Sequence, residues 1–116
     1  LHCVKQLLED GYTVRGTVRN LQNSAKISPL LALKYSSERL ELVEADLEHA
    51  EDWPSVLDGC DYILHVASPW PIIADENTVK VAVEGTINIL KVAAKIPTIK
   101  KIVLTSSCSA INGMQF

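Results

Sequence analysis

The sequence predicts an α/β protein built on a doubly wound parallel sheet, and two observations support this fold class. The run at residues 62–66 is almost continuously apolar, whereas a strand with one face in water alternates apolar and polar residues. Strand-like runs also alternate along the chain with stretches of helical composition. Because right-handed crossover helices pack over both faces of a parallel sheet, we expect neither face to be left to water.

The first half of the chain predicts, in order, a helix, a strand, a helix and a strand. Apolar residues at helical spacing open the chain: Leu1, Val4, Leu7 and Leu8. They stop before Gly11, which is typical of a glycine-capped helix end. Residues 12–18 are rich in Thr, Val and Tyr and predict a strand, and residues 40–43 predict the next one. Between them, residues 21–33 have helical composition, with Pro29 as an interruption.

The second half continues the alternation. Residues 53–57 predict a short helix and residues 58–61 a turn, followed by the apolar strand at 62–66. A longer helix is expected at residues 77–95, and a last strand at 101–104. The apolar positions of the long helix fall on one stripe: Val79, Val83, Ile87, Leu90 and Ala94.

Composition and charge narrow the functional classes. The 116 residues are 47% hydrophobic and 22% charged, the balance of one soluble globular domain or of a piece of a larger one. A net charge of -3 without a basic stripe gives no basis for nucleic-acid binding, and no apolar run approaches the ~20 residues that cross a bilayer. Three distant cysteines without metal-ligand spacing are typical of reduced thiols in a cytoplasmic protein. We expect no metal, nucleic-acid or membrane partner, and the oligomeric state stays open.

Arg19 follows the first strand, at the place where dinucleotide-binding folds contact the adenosine ribose. Folds that bind NAD usually have an acid there, which accepts hydrogen bonds from the ribose 2′-hydroxyl and would repel a 2′-phosphate. A guanidinium instead holds the phosphate with paired charged hydrogen bonds. Arg19 therefore favours NADP, with Lys26 as a second positive charge. The alternative for both residues is an ordinary solvated side chain.

Asp46, Leu47 and His65 each have a functional and a structural interpretation. The Asp46–Leu47 pair can accept a hydrogen bond from the adenine amino group and cover the ring, but Asp46 is also a good helix N-cap before an acidic stretch. On the residues alone, the cap is favoured. His65 lies inside an apolar strand, where a buried histidine satisfied by a backbone carbonyl is favoured over a catalytic base.

Thr105, Ser106 and Ser107 follow the last strand. Ligands of open α/β sheets bind beyond the carboxyl ends of the strands, and we expect the four strand ends to line one cleft. A hydroxyl fixed there can help polarise a substrate carbonyl for hydride attack, although serine and threonine are also common in loops. Neither a Gly-rich phosphate loop nor a Gly-x-Ser-x-Gly elbow is present. The residues alone predict an α/β domain with some features of a dinucleotide-binding fold.

Five sequence words together resemble one family. They are TVRN at 17–20, EADL at 44–47, GCDYILHVASP at 59–69, VEGTINIL at 83–90 and KKIVLTSS at 100–107. The chain resembles the extended short-chain dehydrogenase/reductases, and most closely the branch of dihydroflavonol 4-reductase, anthocyanidin reductase and cinnamoyl-CoA reductase. The resemblance implies a Rossmann-type sheet. It also implies NADPH-dependent reduction of a ketone, aldehyde or activated acyl carbonyl on a mid-sized organic substrate.

The same resemblance implies roles for residues that hold the adenosine half of the cofactor. Arg19 and Lys26 match the contacts to the NADP 2′-phosphate. Asp46 and Leu47 match the contacts to adenine. We therefore expect the cofactor to be NADP.

On the nicotinamide side, Val66, Ala67 and Ser68 match residues that line the path of the cofactor's ribose and phosphates. Thr105 matches a residue beside the nicotinamide ribose. Ser107, the second serine of the TSS word, matches the catalytic serine, which orients and polarises the carbonyl that accepts the hydride.

Two family features are missing from the chain. Family members begin with a strand and a glycine-rich turn ahead of the helix that opens here at Leu1, and they place a Tyr-x-x-x-Lys pair beyond Phe116. In the family that tyrosine is the proton donor. We therefore expect a fragment, a partial dinucleotide-binding domain over residues 1–116 whose sheet lacks its first, central strand.

Two alternative functions stay open. One is a sugar-nucleotide epimerase or dehydratase, or a relative of the 3-beta-hydroxysteroid dehydrogenases, which NAD dependence of the complete protein would favour. Ala82 favours the reductase branch instead, since epimerase-like relatives commonly have Asn at that position. The other is a non-catalytic dinucleotide sensor, which a complete protein without the Tyr-x-x-x-Lys pair would favour.

Overall fold

The computed structural model describes residues 1–69, 71, 73 and 75–112, and these form two compact units, Leu1–Asp52 and a second that begins at Trp53. Each unit contains one two-stranded parallel sheet with helices. The α/β class is confirmed. Among the described residues each strand has a partner on one side only, as expected of an incomplete Rossmann-type sheet.

The first unit has three helices and two strands. In chain order they are α1 (His2–Glu9), β1 (Val14–Val18), α2 (Ser24–Leu31), α3 (Ser36–Arg39) and β2 (Leu40–Glu44). A short 3-10 turn, Ala50–Asp52, ends the unit. The two strands pair in parallel, with Val14 opposite Leu40 and Val18 opposite Glu44. Both predicted strands are present, and β1 begins two residues later than expected.

The carboxyl end of α1 is closed by a glycine and an arginine. Gly11 has a φ of 92°, and its N–H donates to the Leu8 carbonyl at 3.2 Å. The Arg39 guanidinium donates to the same carbonyl at 2.9 Å and stacks over the Tyr35 ring, 4.3 Å from its centroid. Leu8 itself is fully buried. The predicted glycine cap is therefore confirmed, and a side chain from α3 reinforces it.

Pro29 lies inside α2 and does not interrupt it, so that expectation is wrong. The helix begins after the N-cap Asn23, whose side chain accepts a hydrogen bond from the Lys26 N–H at 3.3 Å. Beyond the proline, the Ala32 N–H still donates to the Ser28 carbonyl at 3.0 Å. In a helix this short, Pro29 removes one internal hydrogen bond and leaves the others in place.

The second unit follows the same alternation. Its elements are α4 (Trp53–Leu57), β3 (Tyr62–His65), α5 (Glu76–Ala93), β4 (Lys101–Leu104) and α6 (Cys108–Asn112). Strands β3 and β4 are parallel, with Tyr62 opposite Lys101 and His65 opposite Leu104. The turn before β3 contains Gly59 at a φ of 73°. The predicted turn and the two elements that flank it, α4 and β3, are present at nearly the expected positions.

The apolar stripe predicted for α5 is not its buried face. Four of its members are 40–62% exposed: Val79, Val83, Ile87 and Leu90. The buried positions are Gly85, Ile89 and Ala93, about a third of a turn around the helix. The helix is thus apolar over much of its circumference, and periodicity alone cannot tell which part meets the core.

Some classes of site are absent from the described part of the chain. Within residues 1–69, 71, 73 and 75–112, no helix has the length and apolar character needed to span a bilayer. The same residues contain no cluster of His, Cys, Asp and Glu suited to a metal ion. Cys3, Cys60 and Cys108 are free thiols.

Candidate functional site

Two predicted cofactor segments leave the same edge of the sheet in the first unit. Val18 and Glu44 are opposite each other at the carboxyl ends of β1 and β2, and the Ala45 N–H donates to the Val18 carbonyl at 3.0 Å. Arg19 comes directly after one strand, and Asp46 follows the other by two residues. The parallel register therefore brings these two candidates to one edge, as the sequence predicts.

Arg19 and Lys26 are both exposed cations. Among the residues that the structure describes, neither side chain has a salt bridge or a hydrogen bond. Lys26 lies in the first turn of α2, which begins only a few residues after Arg19. Both charges therefore remain available to an anionic ligand.

Asp46 is half-buried and forms a turn rather than a helix cap. Its Oδ1 accepts a hydrogen bond from the Glu48 N–H at 3.2 Å, and its own N–H donates to Asp52 Oδ2 at 3.1 Å. The favoured structural interpretation, an N-cap, is wrong, because the next helical turn begins only at Ala50. Within the described chain the second carboxylate oxygen has no partner. Leu47, beside it, is half-buried.

In the second unit, the carboxyl ends of β3 and β4 present the other candidates. Val66, Ala67 and Ser68 follow β3 and are exposed, with Val66 at 51%. Thr105 follows β4, and its N–H donates to the His65 carbonyl at 3.0 Å. The two segments therefore leave neighbouring strands side by side, joined by this hydrogen bond.

Ser107 and Ser106 differ in how their hydroxyls are held. The Ser107 Oγ accepts a hydrogen bond from the Ser109 N–H at 3.2 Å, and the Ser107 carbonyl accepts one from the Ala110 N–H at 3.0 Å. Ser107 is thus the N-cap of α6. Ser106 has no side-chain hydrogen bond among the described residues. The N-cap bond uses a lone pair of Ser107, so its O–H remains free to donate.

His65 is buried, with 7% of its surface exposed, as the sequence predicts. Its partner is not the expected backbone carbonyl, because Nε2 lies 3.0 Å from the Thr86 hydroxyl on α5. Burial lowers the pKa of His65 below its usual 6.5, since a charged imidazole would lose hydration. The neutral ring therefore joins β3 to α5 at neutral pH.

Two acceptor side chains near Arg19 carry no role in the sequence interpretation. Glu44 Oε1 accepts a hydrogen bond from the Leu21 N–H at 2.7 Å, and Asn20 Oδ1 accepts one from the Gln22 N–H at 2.7 Å. Asn20 could have been found from its turn-forming residue type. Nothing local marks Glu44, because its contact depends on the register between two strands.

Comparison with known proteins adds the family. Residues 1–114 match the NAD(P)H-binding family. The chain is 40% identical over 112 residues to a putative anthocyanidin reductase of Ginkgo biloba and 37% identical over 112 residues to the dihydroflavonol 4-reductase of Zea mays. These alignments cover 94% of the chain and 33% and 31% of those proteins, so the chain spans about a third of their length.

A solved structure agrees with these relatives. The crystal structure of vestitone reductase from alfalfa (Medicago sativa L.) superposes with a TM-score of 0.77 at 36% identity, over 97% of this chain and 34% of that one. The sequence comparison and the structure comparison therefore both find reductases, and the family that matches the chain binds NAD(P)H. The chain belongs to the NAD(P)H-binding family, and its relatives are reductases of the branch that the sequence words indicate.

Proposed function

We propose that the full-length protein is an NADPH-dependent reductase acting on a ketone, aldehyde or activated acyl carbonyl of a mid-sized organic substrate. Two named relatives, an anthocyanidin reductase and a dihydroflavonol 4-reductase, support the reaction class. The observation that carries the choice of NADPH is the Arg19 guanidinium, exposed directly after β1 and without an acidic partner in the described chain.

The chemistry around Arg19 fits a 2′-phosphate better than a free ribose hydroxyl. A guanidinium offers two parallel N–H donors that match two phosphate oxygens, and it carries the opposite charge. Lys26 adds a second positive charge from the first turn of α2. In this proposal both side chains hold the 2′-phosphate.

Asp46 and Leu47 take the adenine in the same proposal. The Asp46 carboxylate uses one oxygen for the Glu48 N–H, which leaves the other to accept a hydrogen bond from the adenine amino group. Leu47 gives an apolar surface for one face of the ring.

Val66, Ala67 and Ser68 line the path of the cofactor's ribose and phosphates, and Thr105 lies beside the nicotinamide ribose. The bound NADPH supplies the hydride. Ser107 donates its O–H to the substrate carbonyl oxygen and so stabilises the negative charge that develops there. The cap bond from the Ser109 N–H orients this hydroxyl.

Replacement of Arg19 by Ala tests the cofactor assignment. The variant of the full-length protein should lose about 1.5 to 3 kcal/mol of transition-state stabilisation with NADPH, the typical contribution of a charged hydrogen bond. With NADH it should be nearly unchanged, because NADH has no 2′-phosphate. The measurement is kcat/KM with each cofactor.

Arg15→Ala is the matched control, since Arg15 lies in β1, the strand that Arg19 follows, and pairs with Glu41 at 2.7 Å. It should leave the ratio of NADPH to NADH activity unchanged. Equal losses with both cofactors in the Arg19 variant would overturn the assignment of the 2′-phosphate to Arg19.

A further inference from the structure

We propose that Glu44 is a positioning residue for cofactor selectivity, which holds the Arg19 loop (residues 19–21) in the conformation that meets the 2′-phosphate. This inference rests on the proposed function of Arg19. It concerns a residue at the end of the neighbouring strand that does not itself contact the phosphate.

The Arg19 loop is fixed at both of its ends by consecutive residues of one strand end. Before the loop, the Val18 carbonyl accepts a hydrogen bond from the Ala45 N–H at 3.0 Å. At its last residue, the Leu21 N–H donates to Glu44 Oε1 at 2.7 Å. Only Arg19 and Asn20 lie between these two anchors. The backbone that carries the Arg19 side chain therefore has little freedom.

The second anchor depends on one side chain. The first is a backbone hydrogen bond that any residue at position 45 except proline would make. The second needs, at position 44, a side chain that carries an acceptor oxygen and is as long as that of Glu or Gln. The Glu44 side chain supplies this acceptor, with Oε1 2.7 Å from the Leu21 nitrogen.

The role of Glu44 is geometric rather than electrostatic. Among the residues that the structure describes, its carboxylate forms no ion pair, with Arg19 or with any other cation. A negative charge at this edge of the sheet acts against an incoming phosphate. What Glu44 gives the site is the acceptor oxygen for Leu21, and glutamine can supply the same oxygen without the charge.

The test compares 2′,5′-ADP with 5′-AMP as probes, because the two differ only in the 2′-phosphate. The ratio of their dissociation constants is measured by calorimetry on the full-length protein and its variants. Glu44→Ala should lower the preference for 2′,5′-ADP about five- to tenfold, since the loop is released and Arg19 is no longer held in place. Glu44→Gln should keep the preference within about twofold of the wild type or raise it.

Glu41→Ala is the matched control, because Glu41 is an exposed glutamate of the same strand that pairs with Arg15 and does not contact the loop. It should leave the preference within about twofold. A general loss of stability would weaken both probes together and leave their ratio unchanged.

Each possible result decides the proposal. If Glu44→Ala keeps the wild-type ratio, or if Glu44→Gln loses as much as Glu44→Ala, the positioning role is wrong. If the wild type itself does not prefer 2′,5′-ADP, the assignment of Arg19 to the phosphate fails and the role of Glu44 fails with it. The wild-type ratio therefore separates failure of the proposed function from failure of this inference alone.

Discussion

At the scale of single residues, the two serines after β4 differ in one measurable respect. Ser107 caps α6 and is held by the Ser109 N–H, whereas the Ser106 hydroxyl has no hydrogen bond among the described residues. A hydroxyl that stabilises a developing oxyanion must be held in place before the reaction begins. This difference favours Ser107 as the catalytic serine.

Replacement of Ser107 by Ala in the full-length protein should lower kcat by about 100-fold or more and leave the affinity for NADPH nearly unchanged. Ser106→Ala should have a much smaller effect. Because Ser107→Ala also removes a helix cap worth about 1 kcal/mol, Ser107→Thr is measured beside it, as threonine keeps both the cap and the hydroxyl. A larger loss of kcat in Ser106→Ala would show that the assignment is off by one residue.

His65 makes stability depend on pH. Burial lowers its folded-state pKa below the unfolded value of 6.5, so the unfolded chain binds more protons than the folded one just below that pH. The stabilisation is therefore complete above about pH 6.5 and is lost as the pH falls towards the folded pKa. Through this one histidine, the free energy of unfolding cannot change by more than ~1.4 kcal/mol per pH unit.

Urea unfolding of the full-length protein at pH 7.0 and at pH 5.5 (roughly one unit below the ordinary histidine pKa) measures this effect. Between pH 7.0 and pH 5.5 (about one unit below the ordinary histidine pKa), the wild type should lose more stability than His65→Gln, because the glutamine amide does not titrate. His2→Gln, at an exposed position, is the control and should behave as the wild type. An identical loss in the wild type and in His65→Gln would contradict the buried, neutral state of His65.

At the scale of elements, α5 begins with a capping box. The Asp75 carboxylate accepts a hydrogen bond from the Thr78 N–H at 2.8 Å, and the Asp75 N–H donates to the Thr78 hydroxyl at 3.2 Å. Hydrogen bonds from Thr78 lower the pKa of Asp75 below its usual 3.8. The carboxylate therefore stays ionised, and the cap stays complete, over the whole range near neutral pH.

Asp75→Ala should lower the free energy of unfolding by about 1 kcal/mol, because the Thr78 N–H and the Thr78 hydroxyl both lose the Asp75 carboxylate as their acceptor. Asp75→Asn should lose much less, since asparagine is also a good N-cap. Chemical denaturation of the full-length protein measures both changes. A loss as large in Asp75→Asn as in Asp75→Ala would argue against capping as the cause.

The elements also show what could be predicted from the sequence. Strand positions, the glycine end of α1 and α4 follow from local residue types, and all are confirmed. The buried face of α5 could not be predicted, because burial depends on which neighbours a helix meets, and this helix is apolar on more than one side. The Glu44 contact with Leu21 depends on the register of β1 with β2, which no local pattern contains.

At the scale of the whole molecule, the 116-residue chain alone leaves much apolar surface in water. On the second unit, the exposed side chains include Tyr62, Leu64, Val66, Val83 and Val103. Each of the four strands also has one edge without a partner among the described residues. Open strand edges and apolar faces are the usual sites of association between chains.

The isolated 116-residue chain should therefore associate and lack catalytic activity. Sedimentation velocity over a concentration series should give an apparent mass that rises with concentration. Val83→Lys should lower this apparent mass, because it places a charge on the apolar stripe of α5. Calorimetry should show no sharp unfolding transition. A monomer that unfolds cooperatively and binds NADPH at micromolar concentration would contradict this expectation.

The arginine that closes α1 also has a consequence for how sequences in this family diverge. Arg39 joins the Leu8 carbonyl at the end of one helix to the Tyr35 ring at the start of another. A lineage that replaces Arg39 leaves that carbonyl with one donor fewer and removes the guanidinium from the ring, which Lys34 also contacts. In an alignment of natural relatives, positions 35 and 39 should therefore vary together, whereas position 11, whose φ of 92° favours glycine, should vary little whichever pair is present.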